Sequence, residues 1–395
     1  MAPKILISVD DCAYTPGQRS SFGLWNGLAD LTDYLSYECL LKFVLHNSAA
    51  LLDAEIGMLP KSTLMRRVPQ DACVLAPKPT AIPDLAACAA DLIIVTGYFA
   101  NQGDLELAFE HLCKFQGKII IFGLGLTAHN GTIESFKRGA ATLRAHNCDF
   151  GTWYCQDEYT CNLVHACGFP AQLVGPLPFM LPARSYFKCA DELVVSEVRG
   201  AALNTLQAQL REQQAQLLKH GLMLNYGLRH KVRLLHYPPT QAELSTALIF
   251  EAQRIFSHYL TRAAQVITAS HFALYLCLAL GIPVRYVPDA ITSTAEQCAL
   301  FTQIAAVAKS YKSDEYGMVR NNNPHILSSR ASAAANADDP SAHNAHSNFI
   351  QYDCGALGQW QRTLLLGLVL GQHELSAKAA SELEHCWSAL TEETK

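Results

Sequence analysis

The sequence predicts an α/β protein with two sheet-based domains, and three observations predict it. Two runs, Asp91-Leu-Ile-Ile-Val-Thr96 and Lys118-Ile-Ile-Ile-Phe122, are apolar without alternation, as strands buried on both faces of a parallel sheet must be. Strand-like runs alternate with helix-period segments, the rhythm of crossover units. The chain is 395 residues long, enough for two to three domains at about 150 residues each.

Composition narrows the class. Half the residues are hydrophobic and 16% are charged, which excludes a disordered chain. Net charge is -5, from 30 Lys+Arg and 35 Asp+Glu, so the global basic field of a nucleic-acid binder is absent. No apolar run reaches the roughly 18 residues needed to cross a bilayer. The start, Met1-Ala-Pro-Lys4, carries no signal-peptide pattern, so a cytoplasmic protein is expected. None of the 14 cysteines forms a C-x-x-C pair. Reduced cysteines and no metal site are expected, and the Cys161-x3-His165-x-Cys167 spacing reads as a buried helix face.

The elements follow in order. Lys4-Ile-Leu-Ile-Ser-Val9 is a strand ending at Asp10-Asp11, and 28–51 has helical spacing. After the 91–96 strand come a helix over 105–115, the 118–122 strand and a helix over 132–145. A strand over 150–154, a helix over 158–166 closed by Gly168 and a short strand over 172–174 complete a first domain, 1–182. The Gln- and Leu-rich stretch 203–218 makes 183–230 a helical bridge. The rhythm resumes with strands over 232–236, 264–268 and 282–287 and helices over 241–261 and 270–280, a second α/β domain spanning 231–319. Asn- and Ala-rich 320–346 is a flexible linker. Residues 347–395 are a helical tail expected to pack back on the body.

Ligands of parallel sheets bind outside the carboxyl ends of the strands, so the residues just after each strand are the candidates. The strongest stretch is strand, polar turn, apolar helix and Gly-Ile-Pro turn over 266–283. Thr268-Ala269-Ser270-His271 stands where a helix leaves its first N–H groups free, which suits a phosphate or carboxylate. His271 there can donate a proton; a capped helix with a packed histidine is the plainer alternative. Gly123-Leu-Gly125, with His129 shortly after, lets backbone approach a ligand, yet lacks the third glycine of a dinucleotide fingerprint. Asp157 reads first as an N-cap, with Thr160 three residues on. Arg285 could reach an anion, Asp10 could act as a base, and Asn101 could line the same wall. A solvated charge, a turn cap and a surface turn are their plainer roles.

The order of these motifs resembles the polysaccharide pyruvyl transferase family. Lys118-Ile-Ile-Ile-Phe-Gly-Leu-Gly125 is similar to a family glycine turn. Tyr154-Cys-Gln-Asp-Glu-Tyr-Thr160 resembles its Arg-Asp-x-x-Ser/Thr motif, and 266–283 its Thr-x-Ser-Phe-His stretch before Gly-Ile-Pro. The likeness covers roughly 85–290, apart from 183–230. The chain departs from the pattern at Gln156 and Ser270, where the family has arginine, at Leu177, where it has aspartate, and at His271, shifted by one. Gln and Ser cannot give the bidentate contact that arginine gives an anion.

The resemblance implies two Rossmann-like domains facing a cleft, a glycosyltransferase-B-like architecture. It also implies ketal pyruvyl transfer from phosphoenolpyruvate to a glycan or lipid-linked sugar, without a cofactor, with possible peripheral association at the inner face of a membrane. With it, His271 and Asp157 are the expected catalytic pair and Thr268, Ser270, Arg285, Gln156, Gly123 and Gly125 expected substrate-binding residues, joined on position in the chain alone by His129, Asp10 and Asn101. A glycosyltransferase using a nucleotide-activated sugar and a non-catalytic assembly partner remain open alternatives.

Overall fold

The computed structural model describes residues 3–9, 42–60, 85–99, 105–126, 130–181, 192–196, 204, 231–235, 263–269, 271–287, 301, 303–305, 309–311 and 349–393. Its elements are β1 (Lys4–Val9), α1 (Lys42–His46), β2 (Glu55–Pro60), β3 (Leu92–Phe99), α2 (Leu105–Leu112), β4 (Lys118–Leu126), α3 (Asn130–Ala145), β5 (Trp153–Cys155), α4 (Glu158–Ala166) and β6 (Ala171–Leu173). They continue with β7 (Glu192–Ser196), β8 (Lys231–Leu235), β9 (Ala263–Thr268), α5 (His271–Leu280), β10 (Val284–Tyr286), β11 (Lys309–Tyr311), β12 (Phe349–Gln351), α6 (Gly355–Val369) and α7 (His373–Glu393). The chain divides into two compact units: 1–180 with 237–256 and 359–386, and 181–236 with 257–358 and 387–395.

The first unit holds a six-stranded sheet in the order β2-β1-β3-β4-β5-β6, parallel throughout. The α/β class is therefore present. The interior of β3 and β4 (Ile93, Ile94, Val95, Ile120, Ile121, Phe122) is buried, as their unbroken apolar runs require. Trp153 of β5 anchors one face. Phe109 of α2 and Phe136 of α3 meet it edge-on at 5.6 and 5.9 Å, and Phe150 and Phe169 stack on it at 6.4 and 5.4 Å. Chain direction across the sheet reverses between β1 and β3, the kind of switch point at which doubly wound sheets take ligands.

The C-terminal helices are tied to this unit by side-chain-to-carbonyl hydrogen bonds that run in both directions. Gln361 Nε2 donates to the Val174 carbonyl at 2.6 Å and the Pro176 carbonyl at 3.2 Å. Lys118 Nζ donates to Leu368 and Gln172 Nε2 to Ala380, both at 2.6 Å, and Arg362 donates to Met180. Gln172 lies on edge strand β6, so its bond ties α7 to the edge of the sheet.

The second unit holds a six-stranded sheet in the order β11-β12-β10-β9-β7-β8. Its β8-β7-β9-β10 part is parallel, and β12 and β11 add antiparallel. Four strands, β2, β7, β11 and β12, fall where the sequence reading put none. β2 carries Gly57 and Pro60, both unfavourable in strands, yet pairs over six residues with β1 at the sheet edge, where proline is tolerated. β7 lies within the stretch read as a helical bridge, and β12 opens the stretch read as a helical tail. Residues 28–41 of the helix expected over 28–51, the helices expected over 203–218 and 241–261 and the linker 320–346 lie outside the described residues, save the single residue 204.

One expectation is corrected. Cys113 and Cys148 form a disulfide, with Cα atoms 6.0 Å apart, where reduced thiols were expected. The cause is tertiary: α2 and α3 end side by side on one face of the sheet. Among the described residues no helix is long and apolar enough to cross a membrane, and no group of three or more His, Cys, Asp or Glu could hold a metal.

Candidate functional site

The strongest candidate stretch is folded as strand, tight turn and helix. β9 ends at Thr268 and α5 begins at His271, with only Ala269 and Ser270 between them. α5 is buried along its whole length from Ala273 to Leu280, so it is apolar on every side and fixed in place. No acidic residue stands in its first turn. Its far end is a Schellman cap: Gly281 has φ +70°, its N–H meets the Leu278 carbonyl at 3.0 Å, and Ile282 N–H meets Cys277 at 2.8 Å. The Gly-Ile-Pro signature is thus a helix stop, with Ile282 buried and Pro283 barring continuation.

β10 runs beside β9, pairing Tyr286 with Thr268 and Arg285 with Ile267. Thr268 is fully buried and its carbonyl accepts from Val287 N–H at 2.8 Å. Arg285 is half-buried, and that burial draws its guanidinium below its ordinary pKa. Thr268, His271 and Arg285 therefore belong to one carboxyl edge of one sheet. Ser270 and the His271 side chain lie outside the described residues.

The carboxyl edge of the first sheet holds a second group. β4 slips register against β5 between Phe122 and Leu124, and β3 slips between Val95 and Gly97. Gly123 and Gly97 both take positive φ, +71° and +82°. A side chain at Gly123 would run into Leu177, so the glycine makes room for a buried leucine. Gln156 Nε2 donates to the Gly123 carbonyl at 2.5 Å, and Gln156 N–H donates to Leu124 at 2.8 Å. Asp157 caps α4, its Oδ1 accepting from Thr160 N–H at 2.7 Å, and Thr160 Oγ1 accepts from Leu126 N–H at 3.0 Å. Both Gln156 and Asp157 are buried. Gly125 is buried in β4, opposite Tyr98 of β3. Asp10, Asn101 and His129 lie outside the described residues.

Sequence reasoning missed Ser8 and Thr96 at the switch point. Thr96 N–H donates to Ser8 Oγ at 2.9 Å, and Ser8 Oγ donates back to the Thr96 carbonyl at 3.4 Å. A side chain thus replaces the β1–β3 ladder beyond Ile94. Thr96 Oγ1 is buried without a hydrogen-bond partner. The available signal was a hydroxyl residue near the end of each strand. Nearby, the Cys155 thiol is held well above its ordinary pKa by its hydrogen bond with Cys161 and by burial.

The chain matches no protein-family model, and no curated protein matches it.

Proposed function

We propose that the chain is a transferase acting on surface or extracellular polysaccharide precursors, by ketal pyruvyl transfer from phosphoenolpyruvate to a glycan sugar. On this reading the two units are Rossmann-like lobes of a glycosyltransferase-B-like enzyme working in the cytoplasm on a glycan or lipid-linked acceptor. The observation that carries it is the β9–α5–β10 geometry. A rigid, buried helix without an acidic first turn starts at the carboxyl edge of the second sheet, with His271 as its first residue and Arg285 on the neighbouring strand.

The donor carries a phosphate and a carboxylate. The positive end of α5, at its first turn, and the Arg285 guanidinium suit these anions. His271 is the general acid. It protonates the methylene carbon, leaving a cation at C2. One sugar hydroxyl attacks C2, the C2–O bond to phosphate breaks, and a second hydroxyl closes the ketal. One hydroxyl proton replaces the one that His271 gave to the new methyl group, and the other leaves with phosphate. Asp157, committed to the α4 cap, is a positioning residue.

A second reading, a relative that kept the fold and lost the chemistry, is favoured by one observation. Gln156 and Leu177 stand where the resembled family has charged side chains, and both are buried in packing and backbone bonds. Thermal-shift titration separates the readings. A rise in melting temperature with phosphoenolpyruvate and none with nucleotide sugars supports pyruvyl transfer. A rise with nucleotide sugars alone moves the assignment to glycosyl transfer, and no rise with either supports the non-catalytic relative.

A further inference from the structure

We propose that Cys113–Cys148 is a reversible thiol–disulfide site, a staple on the α2–α3 pair that a dithiol reductant opens. The two residues are separated by 35 positions in sequence; Cys113 directly follows α2 and Cys148 lies three residues past the end of α3. Their 6.0 Å Cα separation lies in the range a bridge spans without backbone movement. Both are only partly buried, so a reductant can reach the sulfurs.

Of the other described cysteines, Cys155, Cys161, Cys167, Cys277 and Cys354 are buried thiols, and Cys88 and Cys386 are partly buried thiols with no disulfide partner among the described residues. Burial pushes the thiols of Cys167 and Cys354 up, which keeps them protonated and slow to exchange. Near the staple, Lys114 follows Cys113 and pairs with Glu110 at 3.2 Å, and Asp149 follows Cys148. The reduced state is also accommodated. Cys148 Sγ lies 3.8 Å from the His146 carbonyl, an acceptor for its thiol.

What the staple holds is a tight helix pair. Phe109 and Phe136 meet edge-on at 5.9 Å, Gly139 lies directly under Phe109, and Leu105 N–H donates to Ser135 Oγ at 3.0 Å. The opposite ends of these helices follow the segments bearing Asn101 and His129. In the exchange, a dithiol's thiolate attacks one sulfur, the S–S bond breaks, and the released cysteine takes a proton. The dithiol's second sulfur then displaces the first cysteine, which is protonated in turn. The protein gains two electrons and two protons, and the dithiol becomes a disulfide.

The test uses the full chain, dithiothreitol as the dithiol, and maleimide labelling with peptide mapping in native buffer. The expected result is that Cys113 and Cys148 are unlabelled in the air-oxidised protein and labelled after dithiothreitol, with the fold retained. Melting temperature should fall by roughly 5–10 °C on reduction and recover on reoxidation. Cys113→Ser should melt like the reduced protein and ignore dithiothreitol, and Cys148→Ser should match it. Should either variant fail to fold, wild-type labelling and melting decide alone. Labelling of both cysteines before reduction, release of thiols only after denaturation, or an unchanged melting temperature overturns the proposal.

Discussion

Leu177 fills the space that a side chain at Gly123 would need. The glycine's positive φ and the buried leucine belong together, and Gln156 closes the arrangement by bonding the Gly123 carbonyl. The β4 glycine turn is therefore a packing device at its first glycine. Gly123→Ala should destabilise the protein by roughly 2–4 kcal/mol, through overpacking and a strained backbone. In denaturant unfolding, Gly123→Ala should cost less in a Leu177→Ala background than in wild type. An equal cost in both backgrounds would mean the backbone alone sets the penalty.

Asp157 holds the start of α4 through a 2.7 Å bond from Thr160 N–H. Asp157→Ala should cost about 1 kcal/mol, and Asp157→Asn much less, since asparagine caps nearly as well. Equal losses for both in the same unfolding assay would show that the charge, not the cap, matters.

Gly281 ends α5 in the left-handed region. Gly281→Ala should cost about 1 kcal/mol, whereas Gly57→Ala, at an ordinary φ with only the Leu6 methyl 3.0 Å away, should cost less. The comparison needs only two melting curves.

Glu110 titrates below its ordinary carboxylate value, first because Lys114 hydrogen-bonds it and then because of that lysine's charge. A depressed folded pKa gives stability that is present above the unfolded carboxylate pKa and lost as pH falls through the folded one. The pair is exposed, at 3.2 Å, so the stability effect is small. The direct readout is NMR titration of the Glu110 carboxyl. Lys114→Met should return it toward the ordinary value, and no movement would contradict the pairing.

Much of the fold was legible because it is written locally. The Ile and Val runs of β3 and β4, the α4 cap at Asp157 and the Gly281 stop of α5 all depend on neighbours in sequence. What escaped depends on distant partners. β2 looks like a poor strand until β1 pairs with it, and β12 is short and supported by β10 and β11. Cys113 meets Cys148 only because α2 and α3 pack together. At the candidate sites, residue types were readable but their commitments were not. Nothing in the sequence showed that Gln156 spends its amide on Gly123, or that Ser8 replaces the ladder at Thr96.

The central claim is that His271, at the start of α5, drives donor chemistry. The most direct measurement is phosphate release from phosphoenolpyruvate with glycan acceptors, comparing wild type with His271→Ala, with mass spectrometry of the acceptor. Acceptor-dependent release, a ketal-bearing product, and at least a hundredfold loss in the variant, as removal of a general acid predicts, would agree with the account. No release by a folded wild-type protein across the acceptor panel, or release indifferent to His271→Ala, would contradict it.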